Sequence, residues 1–186
     1  DYSDETGPDS NRKMCLWTPL DDPTSTWKAF QRYCFEGDNF SLWNYLDIHG
    51  NWTAPWIRCS AGLADVAAKN GVKVGTLMSI PWQVRINLNW GSGTHETTLR
   101  KLTDKNSQGK YKYAAKLVQY MKYYGVNGIG VNSEFVSDPN SMDRLINFFA
   151  ECHQEGKKQD WDFQVYWYDG TNSSGSITFD AGLGEH

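Results

Sequence analysis

The chain has 186 residues, 39% of them hydrophobic, and a formal net charge of −4. That length suits one domain or part of one and can bury a sizeable core. The negative balance, with no basic stripe, excludes an ordinary nucleic-acid partner, and no run approaches the ~18 apolar residues that argue for a membrane span.

Residues 1–38 mix Pro, Gly, Asp and Ser without a long period, and we read them as an N-terminal leader packing on the domain that follows, with one short helix near residues 26–34. From residue 39 the pattern becomes regular. Residues 43–49 predict a strand, 60–70 a helix ended by Gly71, and 72–80 a second strand stopped by Pro81. A polar stretch over 83–109 predicts a long loop. The next helix spans 110–124, where Ala114, Leu117, Val118 and Met121 share one face. Gly125 closes it, and 127–134 predicts a third strand. Asp138 and Pro139 make a helix start, capping residue then Pro at the first helical position. Met142, Leu145, Ile146 and Phe149 give that helix its apolar face. Residues 162–169 predict a fourth strand.

Strand-then-helix units in series call for a parallel sheet. An open doubly wound sheet would carry a glycine-rich phosphate loop, and Gly91-Ser92-Gly93-Thr94 lacks that spacing. The expected fold is therefore α/β, a (β/α)8 TIM barrel. Such a barrel takes roughly 250 residues, so residues 39–186 are expected to supply about its first four βα units. The remaining units would lie C-terminal to His186 or on another chain.

The third strand carries the chemistry. Side chains alternate along a strand, so Asn132 and Glu134 point to the same side. In a barrel that side is the interior, at the C-terminal end where active sites sit. A carboxyl among aromatics there has its pKa raised and can act as a general acid. Glycosidases usually set two carboxylates across the scissile bond. Here the neighbour is an amide, which cannot be a nucleophile but can orient another amide. A substrate with a 2-acetamido group brings its own nucleophile, so Asn132 would hold that group while Glu134 protonates the leaving oxygen. The competing structural reading has both residues capping the following turn.

On the fourth strand, Gln164, Tyr166 and Tyr168 share one face against Val165 and Trp167, which puts Tyr168 near Glu134. On the first, Tyr45, Asp47 and His49 are expected inward against Leu46 and Ile48. Nine Trp, ten Tyr and eight Phe suit a dense core or rings that stack on sugars. Asp47, His49, Trp52, Trp82, Tyr166 and Asp169 are the candidates to line such a site. Cys15, Cys34, Cys59 and Cys152 form no CxxC pair, and no cluster has ligand spacing, so neither a metal nor another cofactor is expected.

Three segments resemble the family 85 endo-β-N-acetylglucosaminidases: Gly71-Val72-Lys73-Val74-Gly75-Thr76, Val131-Asn132-Ser133-Glu134 and Val165-Tyr166-Trp167-Tyr168-Asp169. Their order and spacing agree across about residues 40–170. The resemblance implies a (β/α)8 barrel that cleaves between the two N-acetylglucosamines of an N-glycan core with retention. It implies Glu134 as acid/base, Asn132 as the residue orienting the acetamido group, and Tyr168 as a supporting hydrogen-bond donor. The expected partner is an N-linked glycan or glycoprotein. The expected location is secreted, periplasmic or cell-surface, with the cytoplasm as the alternative. The run Asp47-Ile48-His49-Gly50-Asn51-Trp52 departs from the aromatic-rich Phe-Ser-His ending of that family. A family 18-type chitinase or endoglycosidase is a less similar alternative, because its Asp-x-x-Asp-x-Asp-x-Glu run is replaced by Asn127, Gly130 and Asn132 before Glu134. A non-catalytic glycan-binding barrel is the reading from another class.

Overall fold

The structure is a computed structural model that describes residues 13–19, 42–52, 57, 61–80, 86–88, 91–93, 95–133, 139–168 and 176. Seven strands appear among them: β1 (Cys15–Pro19), β2 (Ile48–Trp52), β3 (Lys73–Ile80), β4 (Ile86–Leu88), β5 (Gly91–Gly93), β6 (Gly128–Ser133) and β7 (Gln164–Trp167). The helices are α1 (Ala61–Lys69), α2 (His95–Leu102), α3 (Ala114–Tyr123) and α4 (Pro139–Lys158). β4 and β5 form a small antiparallel hairpin.

The main sheet has five strands in the order β1-β2-β3-β6-β7, every neighbouring pair parallel. This order advances in one direction. A doubly wound sheet reverses its strand order at a switch point. The helices also share one side: residues of all four helices cluster with Val74, Met78, Ile129 and Val131. A parallel sheet with sequential strands and helices on a single face is an arc of a barrel, here a five-stranded half-barrel.

One device repeats along the arc. α1 ends with Gly71 N–H donating to Ala68 O at 3.1 Å and Val72 N–H to Ala67 O at 2.9 Å. α3 ends likewise, with Gly125 to Lys122 at 3.1 Å and Val126 to Met121 at 2.9 Å. α4 repeats it with Asp160 to Lys157 at 3.3 Å and Trp161 to Gly156 at 2.9 Å. Each is a Schellman cap, whose first residue past the helix is left-handed. Gly71 and Gly125 meet that need with φ of +72° and +70°; Asp160 does so with φ +50°. The chain then reaches the next strand within a few residues, so the caps set where each strand begins.

Four findings in the fold differ from the sequence reading. Cys15–Pro19, placed within the 1–38 leader, is a strand of the sheet paired with β2; its run is too short for periodicity to reveal. The expected strand at 43–49 is instead a 3-10 turn at Trp43–Tyr45 followed by β2. The expected loop over 83–109 holds the hairpin and α2. On α4 the buried face runs through Met142, Leu145, Phe148, Phe149 and Cys152, while Ile146 is exposed. The expected helix at 26–34 lies outside the described residues. Cys15 and Cys152 are free thiols. Among the described residues no helix is long and apolar enough to cross a membrane, and no group of three His, Cys, Asp or Glu side chains could hold a metal.

Candidate active site

The face of the sheet turned away from the helices is identified by its glycines. Gly50, Gly75 and Gly130 lie on β2, β3 and β6. A Cβ on any of them would collide with the indole of Trp17, at 2.7 Å for Gly75 and 2.6 Å for Gly130. One aromatic side chain from β1 therefore lies across three neighbouring strands, and the absent side chains make its trough. An isolated glycine within a strand marks such a close approach. On the same face Tyr166 packs over Gly128 and meets Trp17 edge-on, with ring centroids 5.7 Å apart. Ile48 and Leu77 belong to this face by alternation and are buried although outside the helix-side cluster. The inner face is thus a packed layer of its own, as in a closed barrel.

Asn132 lies two residues beyond Gly130 and so faces inward, next to the last residue of β6. It pairs in register with Ser79, close to the end of β3. Its side-chain Oδ1 is buried and has no hydrogen-bond partner among the described residues. A buried polar atom without a partner calls for an explanation. Tyr168 follows β7, and its N–H donates to Val131 O at 3.0 Å. That bond continues the pairing of Gly130 with Tyr166 and Val131 with Trp167, which sets Tyr168 beside Asn132. Tyr168 is 46% exposed, open to the mouth of the arc. Glu134, Trp82 and Asp169 lie outside the described residues, as does the side chain of Trp52.

The other sequence candidates are placed elsewhere. His49 is not inward, as expected, but on the helix side. Its neighbour Gly50 faces Trp17, and His49 pairs with Val74 of the helix-side core. It is 3% exposed and lies against Trp43, ring centroids 5.4 Å apart. Burial pushes its imidazole pKa below the usual value. Ile48 and Gly50 take the inner face, so alternation along β2 turns His49 to the other one.

Asp47 sits at the opposite end of the sheet from Asn132. It accepts from Met14 N–H at 2.8 Å and from Lys13 Nζ at 3.3 Å, clamping the start of β1 to the start of β2. The Met14 N–H, with Lys13 beside it, holds its carboxyl below the usual range. Tyr166 is inward, as expected, but its hydroxyl donates to Gln164 Oε1. Gln164 Nε2 in turn donates to Asp162 Oδ2 at 2.9 Å, and Asp162 is paired with Lys73. Burial pushes the Tyr166 hydroxyl pKa up. This chain of bonds leads toward the N-terminal ends of the strands, where a barrel is stabilised rather than active.

The described part of the site is thus an inward amide with a buried, unpartnered oxygen, a phenol beside it, and an aromatic floor. Trp17 was missed by sequence reasoning. A partial signal was present in Gly75 and Gly130, each inside a predicted strand where a glycine marks a close approach; Gly50 fell just past the strand expected at 43–49.

The family model described as "Glycosyl hydrolase family 85" matches residues 24–186. No curated protein sequence matches the chain. Among solved structures, it is similar to the glycoside hydrolase domain of Spr0440, Endo-D, from Streptococcus pneumoniae R6. The TM-score is 0.64 at 23% identity, covering 79% of this chain and 22% of that one. It is also similar to the spore cortex-lytic enzyme SleL of Bacillus megaterium QM B1551, with a TM-score of 0.46 at 14% identity, covering 67% of this chain and 28% of that one. The first likeness supports the barrel fold. The chain spans less than a quarter of the length of that solved chain.

Proposed function

This chain belongs to glycosyl hydrolase family 85, and on that premise we propose that it forms part of an endo-β-N-acetylglucosaminidase acting on N-glycans. The bond cut would be the β-1,4 link between the two core N-acetylglucosamines. The observation that carries this reading is the buried, unpartnered Oδ1 of Asn132 on the inner face. An acetamido N–H is the donor that oxygen lacks. Accepting it would stabilise the positive charge that develops on the acetamido nitrogen as its own oxygen attacks the anomeric carbon. The C–O bond to the leaving sugar breaks as the ring closes to an oxazolinium ion that keeps its N–H. Glu134, two residues farther along the same strand pattern, would protonate the leaving oxygen and then, as carboxylate, take a proton from the water that opens the oxazolinium. Tyr168 would donate a hydrogen bond from the neighbouring position. A substrate displayed on glycoproteins goes with work outside the cytoplasm, in the medium or at a cell surface, which is part of the proposal.

The test supplies full-length protein with an intact glycan and with a pre-formed sugar oxazoline. Glu134→Gln should lose roughly 10²–10⁴-fold on the glycan and fail to process the oxazoline. Asn132→Ala should lose the glycan reaction yet still process the oxazoline, which has already passed the step Asn132 assists. Equal loss on both substrates for Asn132→Ala would rule out the orienting role. Wild-type hydrolysis by Glu134→Gln would remove the acid assignment.

A further inference from the structure

We propose that Trp17 is a positioning residue for the reaction, forming a dry floor that keeps the Asn132 carboxamide oxygen available to the substrate acetamido group. The inference rests on the functional reading of Asn132 above. Trp17 precedes residues 24–186, the span of the family match, so nothing in that match assigns it a role.

The geometry is specific. Trp17 pairs with Gly50, which pairs with Gly75, which pairs with Gly128. The indole nevertheless reaches Gly130, one layer higher on β6, with Cη2 2.6 Å and Cζ3 2.8 Å from where a Cβ would stand. The ring therefore climbs toward the C-terminal ends of the strands as it crosses the arc. Its leading edge is carbon and lies in the layer next to Asn132. Its polar atom points elsewhere: Nε1–H donates to Cys15 Sγ at 2.9 Å.

This arrangement accounts for the orphan oxygen. A polar group or a water in the layer below Asn132 would satisfy Oδ1 and compete with substrate. The indole fills that layer with C–H edges and keeps its only donor tied to Cys15. An acceptor that waits in a dry, pre-organised site stabilises developing charge more than one already solvated. Gly50, Gly75 and Gly130 are what admit the ring, so the three glycines belong to the same device.

The test uses Trp17→Phe in the full-length protein, with thermal unfolding as the check on folding. Phe is smaller and leaves room for water beneath Asn132. Hydrolysis of intact glycan should fall in kcat by up to about 10²-fold, the scale of a small misplacement at a reacting centre, with KM little changed. Processing of pre-formed oxazoline should be retained. In the Asn132→Ala background, Trp17→Phe should add little further loss, because both changes act through one group. Equal loss on glycan and oxazoline, or full multiplication of the two losses, would overturn the proposal and leave Trp17 a packing residue. If Trp17→Phe does not fold, Cys15→Ala keeps the ring and removes only the acceptor that holds its N–H. It should show the same selective loss, less severely, and an unchanged glycan rate would overturn the proposal. Should Asn132→Ala itself hydrolyse glycan normally, the functional reading fails first; a normal Asn132→Ala block with a fully active Trp17→Phe sinks only the role of Trp17.

Discussion

Tyr168 and Asn132 stand side by side on the inner face, joined through the 3.0 Å bond from Tyr168 N–H to Val131 O. The phenol is therefore held by the sheet rather than by a loop, next to the amide proposed to hold the substrate. Tyr168→Phe keeps the ring and removes the hydroxyl. We expect glycan hydrolysis to fall about tenfold, equivalent to one hydrogen bond of about 1.4 kcal/mol, with folding unchanged. A kcat/KM equal to wild type would remove Tyr168 from the machinery.

Asn132 should be a residue kept at some expense of stability. Its Oδ1 is buried without a partner, so truncation removes an unsatisfied acceptor rather than a made bond. Asn132→Ala should leave unfolding free energy unchanged or raise it by about 1 kcal/mol, even as glycan hydrolysis collapses. Urea unfolding of both proteins provides the comparison, and a loss above about 2 kcal/mol would mean that the side chain is structural.

His49 gives the fold a sensitivity to mild acid. Burial holds its folded pKa below the unfolded value of about 6.5. Above that unfolded value both states are neutral there and its stability contribution is fully present. As pH falls below it the unfolded chain takes up a proton that the folded chain resists, so stability is lost on the way down to the folded pKa. Stability measured between pH 7 and 5 should decline in the wild type and decline less in His49→Gln. Identical slopes would contradict the assignment.

Asp47 belongs to the end of the arc opposite Asn132, and its removal should not be felt by substrate. Asp47→Asn should leave KM for glycan unchanged. The clamp to Met14 N–H and Lys13 lowers the Asp47 pKa, so its contribution is present above the unfolded value near 3.9 and lost as pH falls through the folded one. The variant should therefore lose less of its stability on acidification. A raised KM would restore Asp47 to the sugar site.

Each of the edge strands β1 and β7 has one strand neighbour in the main sheet among the described residues. An open parallel edge is a template for association. Residues 1–186 expressed alone should be inactive and should self-associate, as read by sedimentation or light scattering. A monomer with full hydrolytic activity would mean that the site needs no further barrel strands.

The sequence by itself determined what depends on local period and local caps. α3 and α4 declared themselves through apolar spacing, Gly71 and Gly125 through the left-handed turn a helix end requires, and β7 through the alternation of Val165 and Trp167 against Gln164 and Tyr166. Asn132 took its side of β6 by the same arithmetic. What periodicity cannot supply is which side is inside, nor what comes to fill it. The turn at Trp43–Tyr45 shifted the start of β2, and the register of β2 in the sheet sent His49 to the helices. The short run at Cys15–Pro19 became a strand only because β2 was there to pair with it. The floor under Asn132 depended on both: a glycine inside a strand can mark a close approach but cannot name the partner, and the ring that fills the trough comes from a strand distant in the chain, so only the packed sheet brings Trp17 beneath the amide.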